Sequence, residues 1–246
     1  MDKKTALVMG ASRGIGRAIA TALAREGARV AMASRSLEGL EQARTTIDGE
    51  TAAFEADSDD LERMSALPGE VAERFGPVEI LVTNTGGPPF GGALDNSEEE
   101  WDAAYRSLVL APRRLIEASL PGMRERGWGR IVNVSSTSVR EPIPHLTLSN
   151  AMRMAAVGFF KTLAGEVGAD GITVNTVATG RFGTERLADA GGSLEAAEEQ
   201  ARRDVPAARL GRPEEYGDLV AFLCSTRAAY LTGAVIPLDG GALRSV

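Results

Sequence analysis

Three glycines near the start of the chain, Gly10, Gly14 and Gly16, carry the most specific chemistry in the sequence. They follow a run of four apolar residues, Ala6–Met9, and precede an apolar-periodic stretch that reaches Arg25. Strand, tight turn and helix in that order cradle a pyrophosphate. The first turn of a helix offers backbone N–H groups without intrahelical partners and a partial positive charge, and an anion placed there meets both. Glycine is needed where a side chain would keep phosphate from the backbone, or where φ must be positive. The spacing is G-x-x-x-G-x-G rather than G-x-G-x-x-G, and in this context it predicts a dinucleotide site. A second apolar run, Arg29–Ala33, ends in Ser34-Arg35-Ser36. That strand end faces the adenosine ribose in a dinucleotide fold, where an acidic residue would accept the 2′-hydroxyl of NAD. Here Arg35 follows instead, and Arg13 sits inside the glycine turn. Two guanidinium groups suit a 2′-phosphate. The expectation is NADP(H) in preference to NAD(H), set against the plainer reading that Arg35 lays its stem along a helix start.

The elements that must hold these groups alternate along the chain. Leu37–Ile47 reads as a helix and Thr51–Glu55 as a strand running to Asp57, which can cap the next helix or hydrogen-bond an adenine amino group. Asp59–Phe75 is helical with an interruption near Pro68-Gly69. Val78–Thr83 is a buried strand followed by Asn84-Thr85-Gly86, a glycine turn that lets backbone pass close to a ligand. Glu98–Arg126 has helical periodicity, a kink at Pro112 and a break near Pro121-Gly122. Arg130–Val134 is a strand leading to Ser135-Ser136-Thr137-Ser138, and Thr147–Val167 is a long helix. Ile172–Val177 is a strand that ends in Ala178-Thr179-Gly180. Arg181–Pro206 is too long for a simple connection and reads as a mobile, partly helical substrate lid with Gly191-Gly192 at its middle. Pro213 opens a helix through Cys224, and Ala234–Leu238 is the last strand. This alternation predicts an α/β fold: a Rossmann-type, doubly wound, parallel seven-stranded sheet with helices on both faces, in a single domain over residues 1–246. Ligands of such sheets sit past the carboxyl ends of the strands. Gly10, Ser34, Asp57, Asn84, Ser136 and Gly180 all fall there.

Bulk composition narrows the function classes. The chain has 246 residues, 43% hydrophobic and 25% charged, enough for one large core. Lys plus Arg total 27 and Asp plus Glu 34, a net charge of −7 without a dense basic cluster, so nucleic acid is not expected as a partner. Cys224 is the one cysteine and lies in an apolar run, which reads as a buried, inert thiol. There is no signal-peptide pattern and no apolar run of membrane-spanning length, so the expectation is a cytoplasmic protein with no membrane partner. No metal site is expected.

With these pieces in place the chain resembles the short-chain dehydrogenase/reductase family over essentially its whole length, and most closely its bacterial 3-oxoacyl-carrier-protein reductase branch. The carrying segments are Gly10-Ala-Ser-Arg-Gly-Ile-Gly16, Asp57, Asn84-Thr-Gly86, Asn133-Val-Ser-Ser136, Gly158-Phe-Phe-Lys-Thr-Leu-Ala164, Val174-Asn175, Arg212-Pro-Glu-Glu215 and Thr232-Gly233 with Asp239-Gly-Gly241. The resemblance implies a nicotinamide cofactor, a small-molecule carbonyl or alcohol substrate and a homotetramer or dimer. It implies cofactor contacts at Gly10, Ser12, Arg13, Ile15, Asp57, Asn84, Gly86, Gly180 and Thr184, with Thr179 in place of the usual proline. It also implies a catalytic serine, tyrosine, lysine and asparagine. Ser136 matches the serine. Thirteen residues on, the tyrosine position holds Ser149, and the lysine position holds Arg153. The asparagine position holds Leu108.

Ser149 and Arg153 lie four apart on a helix and share a face. Arg153 can still donate to ribose hydroxyls, but it does not titrate at working pH. A serine hydroxyl is a far weaker acid than a phenol, and a general acid works best with a pKa near the working pH. His145, the one histidine, lies four residues before Ser149 and has a suitable unperturbed pKa; between Pro142 and Pro144 it reads equally as a surface loop residue. Tyr105 reads as helix packing. Arg140, Arg153 and Arg181 would favour an acidic substrate if they border the pocket, or else solvate the surface. Two functions follow: an NADP(H)-dependent reductase or dehydrogenase with Ser136 as oxyanion donor and an atypical proton source, or a catalytically inactive NADP(H)-binding sensor or partner subunit.

Overall fold

Seven apolar segments of four to eight residues form one parallel sheet in the computed structural model, which describes residues 1, 3–185, 187 and 193–245. The strands are β1 (Thr5–Met9), β2 (Arg29–Ser34), β3 (Thr51–Glu55), β4 (Ile80–Thr83), β5 (Gly129–Val134), β6 (Ile172–Thr179) and β7 (Val235–Leu238). Their order is β3-β2-β1-β4-β5-β6-β7. The direction of winding therefore reverses between β1 and β4, and the crevice at that reversal is where α/β sheets bind ligands. The expected fold is the observed one.

Alternation along each strand builds two cores. Ala6, Val8, Val82, Val132 and Val177 face one side. There they meet helices α1 (Gly14–Arg25), α2 (Leu37–Arg44) and α8 (Pro213–Cys224). Leu7, Leu81, Ile131 and Val174 face the other. There they meet α3 (Leu61–Phe75), α5 (Ala111–Glu125) and α6 (Thr147–Val167). Burial of each Leu, Ile or Val contributes about 1.5–3 kcal/mol. Gly217 brings α8 close to α1, because a Cβ there would lie 2.5 Å from the Ala18 carbonyl oxygen. That approach places the preceding residue, Tyr216, inside the core.

Two helices run through prolines that the sequence suggests would break them. α3 continues past Pro68 because Met64, Leu67, Pro68, Val71 and Phe75 form one buried stripe that outweighs the lost backbone donor. α5 continues past Pro121 on a similar stripe from Leu115 to Met123. The expected kink takes a specific form. After α4 (Glu98–Tyr105) the chain widens into a π-helical turn, Arg106–Leu110, and then enters α5 with Pro112 in its first turn. A proline ring presses on the carbonyl four residues back, here that of Leu108, and the wider turn relieves it. Within 181–206, Leu194–Asp204 forms α7; residues 186 and 188–192, with the Gly191-Gly192 pair, lie outside the described residues.

Candidate active site

The first part of the site is the turn after β1. Gly10 and Gly14 have φ of +63° and +53°, the left-handed region that favours glycine. A Cβ on Gly10 would lie 2.7 Å from the Asn84 carbonyl oxygen and 2.8 Å from its Nδ2, and a Cβ on Gly16 would run into the Gly10 carbonyl. Arg13 stands at the N-cap of α1 in extended conformation, and no side chain caps that helix. The first-turn N–H groups therefore face the crevice without a side-chain acceptor, as a pyrophosphate requires. Ile15 is packed against the core beneath the turn. Gly14 faces Thr184, whose Cγ2 would lie 3.4 Å from an added Cβ. A groove of about 410 Å³ starts there and runs down the flank of α1 toward its C-terminus, lined by Arg17, Thr21, Arg25, Glu214 and Asp218, so it is not the diphosphate site. The residues of the turn itself fit the diphosphate of a dinucleotide.

The adenosine end lies one strand over. Ser34 Oγ donates to the Ser36 carbonyl, and Ser36 Oγ accepts from Gly39 N to cap α2. Ser12 packs on Gly39, so the glycine turn touches the start of α2. Arg13 and Arg35 are both exposed, and Arg13 Nε is 4.0 Å from Glu185 Oε2. Asp57 does not cap α3. Asp60 does, accepting from Arg63 N, because it is the residue immediately before the helix; Asp57 instead accepts from Asp59 N and tightens the turn after β3. Gly86 meets nothing within 4 Å of an added Cβ, so no packing demand within the chain explains it. Gly180 has one: its Cβ would lie 2.5 Å from Asp239 Cα, where β6 meets the end of β7.

The second part is built at the tips of β5 and β6. Ser135 N donates to the Val177 carbonyl, so the two strands stay in register past Val134. Ser136 Oγ accepts from Ser138 N and caps a 3₁₀ turn, Thr137–Val139. Arg153 reaches across from α6: its Nε donates to Ser149 Oγ and its Nη1 to the Val134 carbonyl, both at 3.1 Å. Arg153 thus ties Ser149 to the end of β5, two residues before Ser136, and fixes a permanent cation there. Leu108 is buried in the π-helical turn, a hydrocarbon with nothing to hold water. Behind the site, Thr83 Oγ1 donates to Asn133 Oδ1, and Asn133 Nδ2 donates to Thr176 Oγ1, a polar row across three strands.

Other candidates are placed elsewhere. His145 is exposed, with a φ of +59°, and its carbonyl accepts from Gly91 N. Tyr105 is exposed rather than packed. Arg140 donates to the Val235 carbonyl of β7, and Arg181 pairs with Asp204 on α7 at 3.2 Å; of the three arginines, Arg153 is the one bonded at the tip of β5.

Sequence reasoning missed Tyr216. It is fully buried, and its hydroxyl lies 2.9 Å from Thr179 Oγ1. Burial pushes its phenol above the ordinary range, opposed by the Thr179 hydrogen bond and the Arg153 charge. The available signal was a tyrosine on the apolar face of α8, since a buried phenol needs a partner. Among the described residues no group of three or more His, Cys, Asp or Glu is placed to hold a metal, and no helix is long and apolar enough to cross a membrane.

Comparison with known proteins agrees with this geometry. A family model described as enoyl-(acyl carrier protein) reductase matches residues 10–242. The human dehydrogenase/reductase SDR family member 4 is 36% identical over 248 residues, covering 98% of this chain and 88% of that protein. The 3-oxoacyl-[acyl-carrier-protein] reductase of Vibrio cholerae is 35% identical over 241 residues, covering 98% of each chain. The crystal structure of L-sorbose reductase from Gluconobacter frateurii, complexed with NADPH and L-sorbose, superposes with a TM-score of 0.92 at 32% identity, over 100% of this chain and 98% of that one.

Proposed function

Because the chain belongs to the short-chain dehydrogenase/reductase family of oxidoreductases, we propose that it is an NADP(H)-dependent enzyme acting on a carbonyl/alcohol pair, in the manner of a 3-oxoacyl-carrier-protein reductase but with an atypical proton donor. The observation that carries this reading is the Arg153 guanidinium, bonded to Ser149 and to the end of β5 two residues before Ser136, with an intact glycine cradle in the same sheet. The cofactor, when bound, supplies hydride. The chain's own residues position and polarise. Gly10, Ser12, Gly14, Ile15 and Gly16 receive the diphosphate, Ser34, Arg35 and Arg13 the phosphorylated ribose, and Asp57, Asn84, Gly86, Gly180 and Thr184 the remaining contacts. Ser136 donates to the substrate oxygen. Arg153 holds the nicotinamide ribose and stabilises negative charge as it develops on that oxygen. It does not titrate, so the proton reaches the oxygen from water. Residues 181–206, which include α7, act as the substrate lid. The protein works in the cytoplasm as a homotetramer or dimer.

The test is NADPH oxidation with β-keto thioesters, ketones and aldehydes. Turnover that falls in Ser136→Ala supports the assignment. Turnover indifferent to that change refutes the role of Ser136, and tight NADPH binding with no turnover on any carbonyl assigns the protein to the inactive, nucleotide-binding class.

A further inference from the structure

Thr179 and Tyr216 form a pair that the reading above leaves unused. The ring of Tyr216 meets Phe182 edge-on with centroids 5.3 Å apart, and its hydroxyl lies 2.9 Å from Thr179 Oγ1. Thr179 is the last residue of β6 and is partly exposed. The last β5–β6 pair is Val134 with Val177, so Thr179 lies two residues past it at the tip of β6, paired with Leu238 of β7. The Arg153 guanidinium is bonded to the Val134 carbonyl, two residues before Ser136.

The two hydroxyls carry two protons and share one contact, so one proton must point elsewhere. Tyr216 is fully buried, while Thr179 is partly exposed. A phenol proton left without an acceptor in the core costs more than a threonine proton that faces the cleft. Tyr216 is then the donor, Thr179 the acceptor, and the proton of Thr179 is turned out toward the cleft. The ends of the ligand follow from the fold. The turn after β1 takes the diphosphate and the tip of β2 the adenosine ribose, so the remaining half crosses β4 to the tips of β5 and β6. The nicotinamide brings a carboxamide there, whose oxygen is an acceptor.

We propose that Thr179 Oγ1 donates a hydrogen bond to the carboxamide oxygen of the nicotinamide, and that Tyr216 is the positioning residue that keeps that proton aimed at it. The proposal rests on the dinucleotide reading above. It is particular to this chain, because the proline implied at position 179 by the family resemblance has no donor.

The experiment is calorimetric titration of the intact protein with two ligands: NADPH, and 2′,5′-ADP, which lacks the nicotinamide half. Thr179→Val should weaken NADPH about three- to tenfold, the worth of one neutral hydrogen bond, and leave 2′,5′-ADP within about twofold. Thr179→Ser should retain NADPH affinity. Tyr216→Phe keeps the ring against Phe182; it should weaken NADPH alone and have no further effect in the Thr179→Val background. Thermal melts establish that each variant is folded. NADPH affinity unchanged in Thr179→Val, both ligands weakened alike, or a Tyr216→Phe effect that adds in full to Thr179→Val overturns the proposal. Wild-type protein that binds neither ligand overturns the dinucleotide reading and the proposal with it. Wild-type protein that binds 2′,5′-ADP with variant-independent NADPH affinity overturns the proposal alone.

Discussion

A guanidinium at position 153 performs half the work of an ammonium. It donates along two directions, to Ser149 Oγ and to the Val134 carbonyl, and so locks α6 to the tip of β5. It cannot release or take up a proton at working pH. The loss at positions 149 and 153 is therefore one of proton transfer, with charge stabilisation kept. General acid–base help is worth about 10²–10⁴-fold. The paired change Ser149→Tyr with Arg153→Lys is expected to raise kcat within that range, measured by NADPH oxidation, if the rest of the crevice is competent. Ser136→Ala should lower kcat about 10²-fold or more, as removal of an oxyanion donor does, with little change in NADPH affinity. The contact between Ser149 and Arg153 was legible because residues four apart on a helix share a face; their relation to Ser136 came from the spacing that the family resemblance implies. The Thr179–Tyr216 contact was not legible, because it joins a strand to a helix 37 residues away through tertiary packing. The partner of Arg140 was illegible for a related reason: its loop directs it to the Val235 carbonyl of β7, which no local pattern reveals.

The same distinction holds for whole elements. Helix and strand identities followed from periodicity, but the treatment of proline did not. Pro68 and Pro121 read as breaks because a proline costs a hydrogen bond wherever it sits in a helix interior, and the buried stripes that compensate become visible when the neighbouring helices are in place. The entry to α8 illustrates a local device with a measurable signature. Arg209 donates to both carboxylate oxygens of Glu215 at 2.8 Å, and Arg212 N donates to Oε2 at 2.8 Å. These bonds, the Arg209 pair first, hold the Glu215 carboxyl at about 2 against an ordinary 4.5. A depressed carboxylate stabilises the fold above its unfolded pKa, and that contribution fades as pH falls from about 4.5 toward 2. Denaturant midpoints measured across this window should drop in the wild type. In Glu215→Gln they should be lower above it and show a shallower fall within it. At α4, Ser97 and Glu100 form a capping box. Ser97→Ala should cost about 1 kcal/mol in chemical denaturation.

At the scale of the molecule, the parallel, doubly wound sheet of seven strands was the most legible feature, since alternating strands and helices joined by right-handed crossovers admit few arrangements. The glycine cradle makes a global prediction. NADPH at a hundred times its Kd should stabilise the fold by about 2.7 kcal/mol and raise Tm by roughly 5–10 °C for a domain of this size. Gly16→Ala should abolish that shift, because its Cβ would occupy the space of the Gly10 carbonyl. Cys224 offers an independent gauge. It is sealed in the core and burial pushes its thiol up to about 12, so native protein should resist alkylation at pH 8 and react on unfolding. Finally, the reversal of winding between β1 and β4 divides labour along the chain. The strands of one bank of the crevice are written before residue 60, and those of the opposite bank from residue 80 onward. A lineage can therefore re-tool its chemistry on one bank while its grip on nucleotide stands still. The fold behaves as a fixed handle with an exchangeable bit.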